Sequence, residues 1–280
     1  MMDEFNVWGV PLPVSELNES EKDYLSQLPQ DIPPVEWVWK EMDRIWYDSG
    51  LDNRRPLSEQ SIADFYSHPV WLMNGVFVSA DPQSYSHRAA ISKWLKHIGA
   101  TDIADYGGGF GVLAKLISKQ NKKARVTVVE PYPSRMARYL ISKEPQVSLA
   151  EHLSPDAYDV VIAQDVLEHV EDPVGLVFDM VHSVRQGGFL LIANCFRPVI
   201  QCHLPNTFHL RCTFPYVIKQ LGLEYCGALD GALHVKIFKY KGLLAREKAR
   251  KAEELSRRVG PVLNLCLNVL SPIRQLMANR

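Results

Sequence analysis

From about residue 101 the sequence alternates short apolar runs with segments of helical spacing. The clearest runs are residues 103–106, 125–130, 158–164 and 187–194. Between the first two lies GVLAKLISKQ, which is apolar at intervals of three and four residues. Strand-like runs separated by single helices are typical of βαβ units, in which parallel strands pair in one sheet. We therefore predict an α/β fold.

The last part of this region lacks a helical segment between its two strand-like runs. Residues 223–229 and 234–240 are both strand-like, and Asp230-Gly231 between them is a hairpin signal. A hairpin joins antiparallel strands, so one strand must run against the others. The expected core is a Rossmann-like sheet of seven strands, mostly parallel, with one antiparallel strand near an edge.

The chain divides into three regions. Residues 1–90 are rich in aromatic side chains and lack strand periodicity, which predicts a helical N-terminal cap over a core of residues 91–242. Residues 243–280 form a basic, amphipathic helical tail with eight bases and three acids. Its mixture of bases and leucines predicts docking on the protein, on a partner, or on a membrane surface.

Composition narrows the class of protein. Apolar residues at 46% and charged residues at 22% are ordinary for a globular chain, and the formal charge of −1 gives no bulk attraction to nucleic acid. The N-terminus lacks the pattern of a signal peptide, and the five cysteines form no CxxC pair. We expect a cytoplasmic protein with free thiols, with the tail as a peripheral contact to the inner face of a membrane.

The strongest chemical signal is a glycine-rich turn between a strand and a helix. It reads Asp105-Tyr106-Gly107-Gly108-Gly109-Phe110-Gly111. Glycines let the backbone turn sharply and approach a ligand, and the helix N-terminus behind them favours a negative group. Glu130 ends the next strand, where a carboxylate accepts hydrogen bonds from a ribose. These residues indicate a nucleoside cofactor.

Two cofactors fit a loop of this kind. A dinucleotide fingerprint is met by Gly109, Gly111 and Ala114, which would make the protein an NAD-dependent oxidoreductase, but that register leaves Asp105 unexplained. The pattern D-x-G-x-G-x-G resembles the class I S-adenosylmethionine-dependent methyltransferases, in their small-molecule group. A second segment, YDVVIAQDVLEHVEDP at 158–173, is similar to that family's fourth motif. The resemblance spans roughly residues 101–241.

The resemblance implies S-adenosylmethionine as methyl donor and assigns residues to its parts. Glu130 would hold the ribose, and the segment near Ala150 and Glu151 would meet the adenine. The residues implied at the methionine end are Asp105, Tyr106, Gly107, Gly109 and Gly111, with Gln164 and Asp165 at the donor's amino-acid portion.

The acceptor is expected to be a small molecule or a sugar or glycan hydroxyl, because the core lacks the basic patches that would follow a nucleic-acid backbone. Transfer to a hydroxyl needs a base for its proton. His169 lies beyond the fourth-motif strand, and His203 and His209 lie in a polar segment after the next strand. All three should reach the edge of the sheet where such folds bind ligands.

The sequence offers candidate metal ligands, but we do not predict a metal site. Cys195, Cys202 and Cys212 accompany the histidines, but their spacing lacks the close ligand pairs of structural zinc sites. Glu168 and His169 offer a carboxylate and an imidazole to magnesium or zinc. A non-catalytic protein that binds S-adenosylmethionine for a partner's benefit is a further alternative.

Overall fold

The computed structural model describes residues 3–242 and 244–278, and of residues 270–278 only the helical main chain. Residues 243, 279 and 280 of the predicted tail lie outside this description. Residues 3–97 contain two strands and five α-helices. These are β1 (Glu4–Val7), β2 (Val10–Pro13), α1 (Glu19–Ser26), α2 (Val35–Asp48), α3 (Glu59–Tyr66), α4 (Pro69–Ala80) and α5 (Pro82–His97).

The cap is helical as predicted, except that it begins with a hairpin. β1 and β2 pair antiparallel around a two-residue turn at Trp8 and Gly9, both with positive φ. Such a turn matches the twist of paired strands, but a tryptophan in the left-handed region is uncommon, so the sequence carried no turn signal there. The hairpin is thus a short β element at the start of a mostly helical cap.

The predicted boundary at residue 90 falls inside helix α5. This helix begins where Asp81 caps it, and its buried Ile91 and Leu95 pack against the apolar core of the large sheet. Helix α5 thus connects the cap to the sheet and belongs to both.

The core contains seven strands and four helices. These are β3 (Asp102–Tyr106), α6 (Val112–Gln120), β4 (Arg125–Val129), α7 (Arg135–Ser142), β5 (Val147–Ala150), β6 (Tyr158–Gln164), α8 (Pro173–Ser183), β7 (Val184–Ala193), α9 (Leu210–Lys219), β8 (Leu223–Leu229) and β9 (Ala232–Tyr240).

The predicted sheet is confirmed. Its strand order is β5-β4-β3-β6-β7-β9-β8, and only β9 runs antiparallel to its neighbours. Side chains alternate along β6, so that Val160 and Ile162 face α5 and α6 while Val161 and Ala163 face α8 and α9. From β3 the chain builds the sheet in one direction through β4 and β5. It then returns to the other side of β3, where β6 lies, so the strand order reverses between β3 and β6. Ligands of open α/β sheets bind at the carboxyl ends of strands beside such a reversal.

The tail is the helix α10 (Arg246–Ala278). Its first half packs on α8 and α9, where Ala249, Ala252 and Ser256 are buried. Arg250 forms an ion pair with Asp172 at the start of α8. Removing residues 243–280 would therefore expose part of the core. Among the described residues, no helix is both long and apolar enough to cross a membrane.

Gly260 allows α10 to approach the body closely. A β-carbon at this position would lie 2.5 Å from the carbonyl oxygen of His209, which is too close for unbonded atoms. Alanine ordinarily stabilises a helix by about 1 kcal/mol relative to glycine. Here we expect Gly260→Ala to lower the free energy of unfolding by about 1–3 kcal/mol, because α10 must move away. Denaturant-induced unfolding measures this free energy, and the control is Val262→Ala, a substitution at an exposed position of the same helix. An increase in stability for Gly260→Ala would contradict this packing.

Candidate active site

The glycine-rich turn forms a curved cradle at the end of β3. The backbone N–H of Gly107 donates to the carbonyl of Val129 at 2.8 Å, which ties the turn to the end of β4. Gly107, Gly109 and Gly111 have φ values of 70°, 52° and 71°, in the region that favours glycine. A β-carbon at Gly109 would meet no protein atom within 4 Å, so the turn leaves open space at this residue.

Asp105 lies beneath this turn with its side chain buried. Its Oδ2 has no hydrogen-bond partner, and burial raises the pKa of the carboxyl to about 7. The positive charge of Arg88 opposes that rise, and also acts on Asp165. Arg88 projects from α5, seventeen residues earlier in the chain, and its guanidinium donates to the carbonyl of Ser84 at 3.1 Å. No local sequence pattern points to Arg88, because only the packing of α5 brings it to the cradle.

Glu130 follows β4 and faces the same cradle. Its carboxylate accepts a hydrogen bond from the backbone N–H of Gly109 at 3.3 Å. Burial raises the pKa of this carboxyl, and the bond from Gly109 lowers it. The backbone N–H of Glu130 donates to Ala150 at 2.9 Å, which places the end of β5 beside it. This position suits the ribose contact predicted for Glu130.

The end of β6 supplies the opposite wall. Gln164 is the last strand residue, and its buried Oε1 has no hydrogen-bond partner. Asp165 has a φ of 51°, unusual for a residue with a side chain, and its backbone N–H donates to Ala193 at 2.8 Å. The strain turns the chain away from the strand and exposes the Asp165 carboxylate at the edge of the sheet.

Two of the three predicted histidines meet. Ligand atoms of Glu168, His169 and His203 lie within 4.8 Å of one another, and the two imidazole rings contact edge to face with centroids 4.9 Å apart. The Nδ1 atom of His169 is 3.0 Å from the carbonyl of Cys202, and that of His203 is 2.8 Å from the carbonyl of Arg197. A carbonyl only accepts, so each Nδ1 carries the proton and each neutral ring keeps its lone pair on Nε2.

Burial sets the charge state of this cluster. It lowers the pKa of His169 to about 3, assisted by neighbouring His203, and also lowers the pKa of His203. Glu168 is fully buried, and burial raises its pKa to about 7. One of its oxygens accepts from the backbone N–H of Cys195 at 2.6 Å, while the other has no partner. The cluster therefore holds two neutral imidazoles beside a carboxyl group that ionises near neutrality.

His209 is placed elsewhere. Its Nδ1 lies 2.8 Å from the carbonyl of Asn206, and its Nε2 is buried 3.8 Å from Glu253 of α10. The structure thus does not bring His209 to the other two histidines, because the packing of α10 covers it. The polar segment predicted to carry both His203 and His209 splits between the site and the tail interface.

Residues 104–192 match a family described as "Methyltransferase domain". The matched region runs from β3 to β7 and contains both the glycine-rich turn and the segment around Glu168. The core of this chain is a class I S-adenosylmethionine-dependent methyltransferase domain. The resemblance read from the two motifs is thereby confirmed, and the match argues against an NAD-dependent oxidoreductase.

This chain matches a curated protein over only part of that protein's length. The ubiquinone biosynthesis O-methyltransferase of Sodalis glossinidius is 33% identical over 105 residues, which are 34% of this chain and 42% of that protein. The chain thus spans less than half the length of this curated relative.

Two solved structures have the same fold. An O-methyltransferase family protein from Burkholderia thailandensis superimposes with a TM-score of 0.54 at 16% identity, over 80% of this chain and 77% of its own. Human N-acetylserotonin methyltransferase, solved with S-adenosylmethionine, gives a TM-score of 0.50 at 18% identity over 80% and 70% of the two chains. At these identities the likeness concerns the fold.

The cradle of the methyltransferase domain fits the donor. Asp105 and Gln164 present buried oxygens without partners, which an ammonium group satisfies. Arg88 lies close enough for its charge to act on Asp105, and a guanidinium is suited to a carboxylate. The methionine end of S-adenosylmethionine carries both groups. Tyr106 ends β3 at this site, half-buried, and burial raises the pKa of its hydroxyl.

The N-terminal cap covers the histidine side of the methyltransferase domain. The ring of Trp71 on α4 contacts His169 with centroids 6.4 Å apart, and also contacts Tyr66 on α3 at 4.6 Å. The carboxylate of Asp43 accepts from the backbone N–H of Gln201 at 2.6 Å, which fastens α2 to the segment before His203. The aromatic side chains of the cap therefore form one wall of the cluster of Glu168, His169 and His203.

Proposed function

We propose that this methyltransferase transfers a methyl group to a hydroxyl of a small-molecule or glycan acceptor, with His169 as the general base. The observation that carries the proposal is the orientation of His169. Its Nδ1 proton is held by Cys202, so the Nε2 lone pair is free to accept a proton. The similar protein of Sodalis glossinidius is an O-methyltransferase, which supports a hydroxyl acceptor.

The chain's own residues have distinct tasks in this reaction. The donor, when bound, supplies a methyl group already activated on a sulfonium, which leaves positioning and proton removal to the protein. A new bond forms from the acceptor oxygen to the methyl carbon, the carbon–sulfur bond breaks, and the acceptor proton passes to His169. The low pKa of His169, which burial causes, keeps the ring neutral before it accepts the proton.

A test uses full-length protein and donor carrying an isotopically labelled methyl group. The acceptors are panels of catechols, simple phenols and sugars, and label transfer is followed by mass spectrometry. Glu130→Ala is the control, because losing a hydrogen bond to a charged group should weaken donor binding by about 1–3 kcal/mol. Donor binding with no transfer to either aromatic or sugar hydroxyls would contradict the proposal and favour a non-catalytic protein.

Chelation separates a histidine base from a metal-assisted reaction. The three ligand atoms of Glu168, His169 and His203 are close enough to hold a divalent ion, although no metal is predicted. We expect turnover to be unchanged after treatment with EDTA, because the base acts without a metal. Loss of turnover that magnesium or zinc restores would contradict this and make the three residues metal ligands.

A further inference from the structure

Helix α10 docks on the protein through small and polar residues. Ser256 donates from Oγ to the carbonyl of His209 at 3.1 Å, and Asn264 donates from its side-chain amide to the carbonyl of Phe208 at 2.8 Å. Gly260 lies between them on the same side of the helix and permits the close approach. The inward side is therefore held by hydrogen bonds to backbone carbonyls, which a leucine or valine could not donate.

The outward side of α10 is apolar instead. Five of the helix's seven exposed large apolar residues, counted over the described side chains, fall on an arc of about 120° when successive residues are placed 100° apart. These five are Leu255 (47% exposed), Val259 (37%), Val262 (61%), Leu265 (65%) and Val269 (59%). The other two, Leu263 and Leu267, lie beside this arc toward the inward side. A helix normally turns such a stripe toward the core, and a contiguous exposed apolar surface marks a site of interaction.

Three bases lie on the same outward arc, and the exposed Glu247 and Glu254 lie at its edge. Lys248, Lys251 and Arg258 have no ion-pair partner among the described residues, whereas Arg250 and Arg257 are paired with acids on the inward side. Parallel pairing of two α10 helices would place identical bases opposite each other, and antiparallel pairing would bury Arg258 against apolar side chains. Both arrangements are unfavourable. An anionic lipid surface accommodates the apolar residues and the bases together.

We propose that the outward face of α10 binds the surface of an anionic membrane. The apolar side chains of residues 255–269 enter the boundary between headgroups and acyl chains, and the bases contact lipid phosphates. This function is separate from methyl transfer, because the face points away from α9 and the cradle.

Vesicle sedimentation tests the proposal with the full chain, without donor or acceptor. The probes are vesicles of phosphatidylcholine alone and vesicles of equal parts phosphatidylcholine and phosphatidylglycerol. We expect binding to the second at low salt and release at high salt, because salt screens surface charges. The variant Val262→Ser with Leu265→Ser should lower the partition coefficient at least about tenfold, since two exposed apolar side chains are lost. Lys251→Gln with Arg258→Gln should weaken binding only to the anionic vesicles.

The control is Leu233→Ser, which removes a leucine of β9 that is 69% exposed and lies outside the tail. Circular dichroism verifies that each variant is folded, which is expected because every substituted side chain is on the surface. Three results would overturn the proposal. These are no binding at low salt, equal binding to both kinds of vesicle, or a dimer in light scattering that the Val262→Ser, Leu265→Ser variant dissociates.

Discussion

Replacing His169 with alanine is expected to lower turnover roughly 10²–10⁴-fold, the contribution of a general base, with donor affinity unchanged. The reason is that His169 presents a neutral Nε2 lone pair beside Glu168, while its Nδ1 proton is held by Cys202. The donor cradle is built from other residues, so calorimetric titration with S-adenosylhomocysteine should give the wild-type affinity. Turnover is measured with labelled donor on whichever acceptor the panel identifies.

The other two histidines are the matched variants for this experiment. His203→Ala removes the neighbouring ring and should reduce turnover less than His169→Ala, because His203 acts on His169 mainly through its position. His209→Ala should leave turnover unchanged, since its side chain faces Glu253. If His169→Ala turns over normally, or if His209→Ala is the variant that loses activity, the assignment of the base is wrong.

Replacing Gly109 with alanine is expected to weaken donor binding at least about a hundredfold, which corresponds to about 2.7 kcal/mol. The β-carbon at this position meets no protein atom within 4 Å, so it would enter the space left for the donor. The backbone itself is strained by alanine, because φ is 52°. Isothermal titration with S-adenosylmethionine measures the loss of affinity.

The variant Gly99→Ala separates the strain on the backbone from the loss of space for the donor. Gly99 has a φ of 72° and also has open space at its β-carbon, but it lies after α5 and away from the cradle. Both variants should lose a similar amount of stability, about 1–2 kcal/mol, and only Gly109→Ala should lose donor affinity. Equal donor affinities in the two variants would mean that the turn does not approach the cofactor.

Local patterns determined the core of the fold and the donor side of the candidate site. Strand alternation, the Asp230-Gly231 turn and the spacing of glycines after Asp105 act over a few residues, and each led to the observed element. The carboxyl ends of parallel strands lie at one edge of a sheet, so the placement of Glu130 and Gln164 beside the glycines also followed from their order in the chain.

The tertiary structure decided which face of each helix is buried, and several features of the candidate site depend on that. Arg88 reaches Asp105 only because α5 packs across the sheet, and His209 leaves the histidine cluster only because α10 covers it. The polar side of α10 faces inward, where Ser256 and Asn264 donate hydrogen bonds to the carbonyls of His209 and Phe208, and this leaves apolar residues on the outward side. A helical pattern states which residues share a face, but the groups on the neighbouring element determine which face is buried, since each buried polar group must find a partner.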